Sequence, residues 1–161
     1  MAKPARMAIL HPMTRPLPPQ ITGWFATRGW SIHAHQQAML DCAGAPCQLL
    51  IAPTGGGKTM AGFLPTLAEL ADGRHTGLHT LYISPLKALA ADIKRNLTGP
   101  IAQMGLPIRV EDRTGDTTAH VKRRQRADPP HILLTTPESL ALLVSYPDAE
   151  RIFARLSRVI V

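Results

Sequence analysis

The stretch APTGGGKT, at positions 52–59, contains residue types at a spacing suited to holding a chain of phosphates. Its three consecutive glycines allow backbone N–H groups to crowd around an anion without a side-chain clash. Lys58 can reach the β- and γ-phosphates of a nucleotide, and the Thr59 hydroxyl can be a ligand of Mg²⁺. The residues therefore predict nucleotide binding, with ATP and Mg²⁺ as cofactors.

The elements predicted on either side of this loop come in the order that a phosphate loop requires. The apolar run CQLLIA, 47–52, predicts a buried strand, and a helix bent at Pro65 is predicted over 58–71. Ala52 stands where the strict pattern has its first glycine. An ordinary glycine-rich turn is the alternative, but Lys-Thr after three glycines, between a strand and a helix, favours the phosphate loop.

Apolar runs alternate with helical patterns along the rest of the chain. Strands are predicted at 47–52, 78–84, 106–112, 131–136 and 156–161, and helices at 21–28, 35–43, 58–71, 86–97, 117–126 and 137–145. This alternation predicts an α/β fold of the P-loop NTPase type, with a parallel sheet covered by helices on both faces. Ligands are expected beyond the carboxyl ends of the strands. Residues 1–20 contain four prolines and predict a loose lead-in to one domain over 21–161.

Composition narrows the class of protein. At 161 residues, 45% hydrophobic and 18% charged, the chain is globular. A formal net charge of +7 suits a polyanionic partner, although charge alone does not single out nucleic acid. Cys42 and Cys47 form a single C-x4-C pair, which does not favour a zinc site. No apolar run approaches the roughly 20 residues that span a bilayer, so a soluble, cytoplasmic protein is expected.

Several segments together resemble one family. APTGGGKT resembles motif I of superfamily 2 helicases, His35-Gln36 resembles their Q-motif region, and SPLKALAADI, 84–93, resembles motif Ia. RTGDT, 113–117, and LLTTPESL, 133–140, resemble the nucleic-acid-contacting motifs that follow. From about residue 20 to residue 161 the chain is similar to the RecA-like first motor domain of large-helicase-related (Lhr-type) DEXH-box helicases, especially their bacterial ligase-associated members.

This resemblance implies an ATP-dependent motor that moves on single-stranded DNA and unwinds duplexes, with a role in DNA repair. DNA is implied as the partner in preference to RNA, and a DNA ligase and a repair nuclease are implied as further partners. Gln36 is implied to read adenine, since a glutamine amide carries both a donor and an acceptor. A glutamine on a helix surface is the alternative. The predicted nucleotide-binding residues are Gln36, Ala52, Pro53, Thr54, Gly55, Gly56, Gly57, Lys58 and Thr59, with Thr59 also holding Mg²⁺.

The motif segments are also physically suited to nucleic acid. Each is predicted where a strand gives way to a turn or a helix, and free N–H groups at a helix N-terminus can hold a phosphate whatever the base. A strand–loop–helix junction with a good cap is the alternative for any one segment. The predicted nucleic-acid-binding residues are Ser84, Pro85, Lys87, Thr114, Gly115, Asp116, Thr136, Pro137 and Glu138.

The catalytic carboxylates of the family do not occur in this sequence. The family pattern continues past a strand such as RVIV, 158–161, with Asp-Glu-x-His, and the sequence given ends at Val161. No catalytic residue is therefore assigned. We expect a fragment that by itself neither hydrolyses ATP usefully nor unwinds DNA. Two other hypotheses are a kinase or unrelated P-loop NTPase, and a non-catalytic module that binds nucleotide and nucleic acid.

Overall fold

A computed structural model describes residues 15–53 and 55–161 of the chain. The helices are α1 (Pro19–Thr27), α2 (Ala34–Asp41), α3 (Lys58–Leu70), α4 (Lys87–Gln103), α5 (Ala119–Ala127), α6 (Pro137–Val144) and α7 (Ala149–Phe153). The strands are β1 (Thr80–Ile83), β2 (Val110–Arg113), β3 (Ile132–Thr135) and β4 (Arg158–Ile160). Within the described ranges, no helix is both long enough and apolar enough to cross a membrane.

The strands form one parallel sheet in the order β2-β3-β1-β4. Thr135, the last residue of β3, pairs with Ile83 on one side and with Arg113 on the other, and these are the last residues of β1 and β2. Three strands therefore end level with one another. The predicted parallel α/β sheet is confirmed, and the loops after these three strands emerge side by side.

Helices cover both faces of the sheet because apolar side chains alternate between two cores. Ile132 and Leu134 of β3 pack into the larger core, which contains residues of α1, α3 and α4. Leu133, between them, packs with Leu81 of β1 into a second core that contains residues of α6 and α7. The prediction of helices on both faces is confirmed, and the alternation follows from the two-residue period of a strand.

The prediction of a strand at 47–52 is wrong, because the segment is irregular and joins none of the described strands. Leu49 and Ile51 have 85% and 84% of their surface exposed. A strand is stabilised by a neighbouring strand and by burial of its apolar side chains. In the described part of the chain this segment has neither, so its apolar composition alone does not make it a strand.

Some helix limits also differ from prediction. Helix α4 continues to Gln103, six residues past its predicted end, and contains Pro100. Proline there removes one backbone hydrogen bond, but Leu97 and Ile101 are buried in the larger core, and packing outweighs local propensity. Helix α7 was not predicted. Helix α1 begins at Pro19, inside the predicted lead-in, of which residues 1–14 lie outside the described ranges.

The two edges of the sheet differ. At the β2 edge, Gln125 of α5 donates from Nε2 to the Asp112 carbonyl oxygen at 3.0 Å, and Arg113 donates from Nη1 to the Lys122 carbonyl oxygen at 3.0 Å. Helix α5 therefore covers this edge. At the other edge, β4 pairs with β1 alone among the described strands, and Val159 is 50% exposed.

Candidate functional site

The predicted phosphate loop enters helix α3 through glycines that the backbone requires. Gly55 and Gly57 have φ angles of +82° and +72°, and Gly57 is the N-cap of α3. A Cβ placed on Gly56 would lie 3.1 Å from the Pro53 carbonyl oxygen. A residue with a side chain would be strained by the positive φ at Gly55 or Gly57, and its Cβ would crowd the backbone at Gly56. Thr54, also predicted to bind nucleotide, lies outside the described residues.

Lys58 and Thr59 occupy the first two positions of α3. Lys58 donates from Nζ to the carbonyl oxygens of Ala52 and Pro53, at 2.9 and 2.8 Å. These bonds lie at the protein surface, so the ammonium group can leave the two carbonyls for a stronger anion. The Thr59 hydroxyl makes no hydrogen bond to the described residues. One hydroxyl beside a phosphate loop fits Mg²⁺, which takes few protein ligands and completes its shell with phosphate and water.

Gln36 lies against the phosphate loop. Its side chain is buried, its Oε1 accepts the His33 N–H at 3.0 Å, and its Nε2 donates to the Gly57 carbonyl oxygen at 3.4 Å. A Cβ on Gly57 would lie 2.8 Å from that same Nε2. The alternative of a surface glutamine is therefore wrong. One N–H and one lone pair of the amide stay available beside the loop.

A cavity of about 470 Å³ opens between α1 and the phosphate loop. Its lining includes Trp24, Trp30, Gln36, Gly57 and Met60. Trp30 is 58% exposed and meets Trp24 edge to face, with ring centroids 5.6 Å apart. An exposed indole ring beside a glutamine amide suits a nucleobase. Trp24, Trp30 and Met60 were not among the residues predicted to bind nucleotide, because no motif marks them.

Helix α3 is oriented so that the phosphate loop lies toward the carboxyl edge of the sheet. Thr66, in its second half, bonds to Thr80 Oγ1 at 2.9 Å and to Arg158 Nη1 at 3.0 Å. Thr80 and Arg158 are the first residues of β1 and β4. Since the end of α3 lies at the amino ends of the strands, its beginning lies toward their carboxyl ends.

The three predicted nucleic-acid loops stand in a row at that edge, and we call them the three-loop row: 84–87 after β1, 136–138 after β3 and 114–117 after β2. Thr135 joins them, because its carbonyl oxygen accepts the Ser84 N–H at 3.0 Å and its Oγ1 donates to the Arg113 carbonyl oxygen at 2.7 Å. Segments that are far apart in sequence thus form one continuous rim.

Within the three-loop row, the predicted hydroxyl residues shape the loops. Ser84, Thr114 and Thr136 are buried. Ser84 Oγ accepts the Leu86 N–H at 3.3 Å, and Thr136 Oγ1 accepts the Ser139 N–H at 3.4 Å as the N-cap of α6. The outward-facing members are Pro85, Lys87, Gly115, Asp116, Pro137 and Glu138.

Charged groups cluster on the rim. Lys87 Nζ lies 3.0 and 2.9 Å from the two carboxylate oxygens of Asp116, and Lys122 donates from Nζ to the Gly115 carbonyl oxygen at 3.0 Å. Glu138 lies at the start of α6. A hydrogen bond from the backbone N–H of Glu138 lowers the pKa of its carboxyl, and a hydrogen bond from the Thr136 hydroxyl lowers it further. The rim therefore carries ammonium groups and ionised carboxylates side by side.

Two arginines of α5 form ion pairs with neighbouring elements of the protein. Arg124 lies 2.6 Å from Glu111, and Arg126 lies 2.6 Å from Asp148 with its guanidinium 4.0 Å above the Tyr146 ring centroid. These contacts fix α5 to β2 and to the start of α7.

In the described ranges, no group of three or more His, Cys, Asp or Glu side chains could hold a metal ion.

The geometry agrees with comparisons to known proteins. The family model "DEAD/DEAH box helicase" matches residues 33–161. The chain is 38% identical over 169 residues to "ATP-dependent helicase Lhr-Core" of Methanothermobacter thermautotrophicus, covering 96% of this chain and 19% of that protein. The curated relatives it matches are much longer, and the chain spans about a fifth or less of the first three.

Solved structures share the fold. The Mycobacterium smegmatis helicase Lhr bound to ssDNA and AMP-PNP superposes with a TM-score of 0.78 at 37% identity, over 89% of this chain and 20% of that one. The DUF1998 helicase MrfA bound to DNA and AMPPNP gives a TM-score of 0.78 at 28% identity, over 92% of this chain and 21% of that one. The predicted RecA-like fold and the resemblance to Lhr-type helicases are thereby confirmed, and the chain belongs to the DEAD/DEAH box helicase family.

Proposed function

We propose that this chain is the ATP-binding portion of an ATP-dependent DNA helicase, and that it holds single-stranded DNA along the three-loop row. One observation carries the proposal: the N-terminus of α3, with its phosphate loop, and the three-loop row both lie toward the carboxyl edge of one parallel sheet. In open α/β sheets this edge is where ligands bind.

The nucleotide half of the site uses the residues around α3. The positive end of the helix and the loop N–H groups receive the phosphates, and Lys58 exchanges the carbonyls of Ala52 and Pro53 for the β- and γ-phosphates. Gln36 and Trp30 face the adenine. The Thr59 hydroxyl holds Mg²⁺, which when bound neutralises phosphate charge. ATP as ligand is supported by the AMP-PNP in the Lhr and MrfA structures.

The nucleic-acid half uses backbone N–H groups and Lys87. Such contacts recognise phosphates and ignore base identity, as a motor that moves along any sequence requires. DNA in preference to RNA is supported by the ssDNA and DNA in the Lhr and MrfA structures. A cytoplasmic location, a role in DNA repair, and a DNA ligase and repair nuclease as partners belong to the same proposal. So does the division into a lead-in, 1–20, and one domain, 21–161.

A second function is favoured by one feature of the sequence. The 161 residues contain no Asp-Glu-x-His, so the carboxylates that hold metal and orient water in this family are not among them. These residues alone would then bind nucleotide and nucleic acid without hydrolysis. Helicase activity would require those groups in addition.

The test is Lys58→Ala, with Lys94→Ala as the matched control. Lys94 is a lysine on α4 that pairs with Asp112, away from the phosphate loop. Binding of AMP-PNP and of a labelled single-stranded oligonucleotide is measured for each protein, after circular dichroism has shown that it is folded. Lys58→Ala should abolish nucleotide binding and keep DNA binding, and Lys94→Ala should keep nucleotide binding.

Other outcomes would decide against parts of the proposal. Unchanged AMP-PNP affinity in Lys58→Ala would remove the phosphate loop as the nucleotide site. Nucleotide binding without any DNA binding would favour the kinase or unrelated NTPase.

A further inference from the structure

Asp116 was predicted to contact nucleic acid, but its chemistry is poorly suited to this. An ionised carboxylate only accepts hydrogen bonds, and a phosphate repels it. We propose that Asp116 instead competes with nucleic-acid phosphates for Lys87, and so sets how tightly the three-loop row binds single-stranded DNA. This inference rests on the proposed function of the row and adds an affinity-determining residue to it.

The geometry brings the pair across the rim. Lys87 begins α4, after β1, and Asp116 lies in the loop after β2, while β3 runs between these two strands. The Lys87 ammonium is bonded to both Asp116 carboxylate oxygens, at 3.0 and 2.9 Å. A Cβ on Gly115 would lie 3.5 Å from Lys87 Nζ. The lysine thus reaches over the middle loop and rests on the far one.

The middle loop adds a second carboxylate to this arrangement. Glu138 is exposed at the start of α6, and the charge of Lys87 contributes to the lowering of its pKa, after the larger effects of its own backbone N–H and the Thr136 hydroxyl. A phosphate that approaches the rim therefore meets two carboxylates and an ammonium group that is already bonded to one of them. Binding requires Lys87 to exchange Asp116 for the phosphate.

Because both side chains are exposed to water, exchanging Asp116 for a phosphate costs Lys87 little free energy. The side chains of Lys87 and Asp116 are 54% and 79% exposed. Ion pairs so open to water are weak, so the pair lowers DNA affinity without preventing binding. Removing the Asp116 charge should release Lys87 and tighten binding about two- to fivefold, the factor expected for an exposed pair.

The experiment measures binding of a fluorescein-labelled oligothymidylate of about 12 nucleotides by anisotropy, as a function of salt. The proteins are the full 161-residue chain and its Asp116→Asn, Lys87→Met and double variants. Asp128→Asn is the matched control, because it removes the same charge from an exposed pair with Arg109 near the amino ends of β2 and β3.

Asp116→Asn should tighten binding more than Asp128→Asn does. Lys87→Met should weaken it and reduce the salt slope by about 0.7, the value for one phosphate contact on a single strand. In the Lys87→Met background, Asp116→Asn should have no effect beyond that of Asp128→Asn.

Three outcomes would overturn the inference. Asp116→Asn could weaken binding or match Asp128→Asn, which would mean that Asp116 positions the loop and does not compete. If Asp116→Asn tightened DNA binding equally with and without Lys87, its effect would come only from the change in net charge. Absence of DNA binding in every protein, the unsubstituted chain included, would overturn the proposed function itself and is distinct from the first two.

Discussion

Arg158 Nη1 lies 2.9 Å from Glu69 Oε2, and this ion pair ties the first residue of β4 to helix α3. The second guanidinium nitrogen, Nη2, donates to Glu69 Oε1 at 3.1 Å. His79 Nε2 also lies 3.2 Å from Glu69 Oε2, and Arg15 Nη1 lies 3.4 Å from Glu69 Oε1. The helix that begins at the phosphate loop is thus fixed at its far end to the sheet.

Breaking this pair should destabilise the protein. In Arg158→Met, the carboxylate of Glu69, which is only 23% exposed, loses its two-pronged partner. We expect a loss of about 2 kcal/mol in the free energy of unfolding, since the half-buried carboxylate then keeps only its longer contacts with His79 and Arg15. Urea unfolding followed by circular dichroism measures it.

Arg95→Met is the matched control, because Arg95 pairs with Asp92 on the exposed surface of α4. Its free energy of unfolding should change by less than about 0.5 kcal/mol. An equal effect of the two substitutions would contradict the importance of the Arg158–Glu69 pair.

Glu69 should also make stability depend on acid. Burial acts to raise the pKa of Glu69, but the hydrogen bonds from His79 and Arg158 and their charges outweigh it and lower the pKa to about 2 from 4.5. A lowered folded-state pKa gives stability that is fully present above the unfolded pKa of 4.5 and is lost as the pH falls toward 2. Because water reaches part of the carboxylate, we expect about 1–2 kcal/mol.

The measurement is urea unfolding from near-neutral pH down to the folded-state pKa of about 2, compared with Glu69→Gln. The substituted protein should be less stable at the upper end of this range, and the difference should shrink toward the acid end. A difference that stays constant throughout would show that Glu69 contributes no proton-linked stability.

Gly57→Ala should weaken nucleotide binding. The φ of +72° disfavours any side chain, and the new Cβ would push against Gln36 Nε2. We expect a loss of about 1 kcal/mol or more in stability, and AMP-PNP affinity should fall at least tenfold, since both the loop and the glutamine move.

Gly62→Ala, in the same helix, is the control. It has open space where its Cβ would lie and no positive φ, so it should keep nucleotide affinity and stabilise the helix slightly. If Gly57→Ala bound AMP-PNP as well as Gly62→Ala, the conformation of the loop would not matter for binding.

Residues 1–161 alone should not turn over ATP at a useful rate, with or without single-stranded DNA. Lys58 and Thr59 can hold the phosphates and one metal ligand, but the sequence lacks the Asp-Glu-x-His that polarises the attacking water. Phosphate release in the presence of Mg²⁺ and oligothymidylate measures this. Robust turnover that disappears in Lys58→Ala would contradict the prediction.

Much of the fold follows from local patterns. The core strands β1 and β3 were predicted because apolar residues there are concentrated in short runs, and α6 was predicted because a proline suits the first turn of a helix. The segment 47–52 has the same apolar character and was predicted wrongly. Whether this segment forms a strand depends on whether a neighbouring strand is present to pair with it. That is a long-range property, which a short stretch of sequence does not reveal.

The candidate site was predictable where motifs carry it and unpredictable where packing does. The sequence indicated the phosphate loop and the three segments of the row, because their residue types serve chemistry directly. It did not indicate that Ser84 and Thr136 would be buried, or that Lys87 would meet Asp116, 29 positions away. Those facts depend on the strand order, which brings distant loops together.

The unequal edges of the sheet limit where a further strand can join it. Helix α5 closes the β2 edge through Gln125 and Arg113, while β4 offers an open row of backbone groups on its outer side in the described structure. In the described structure, a further strand could therefore join this sheet only beside β4.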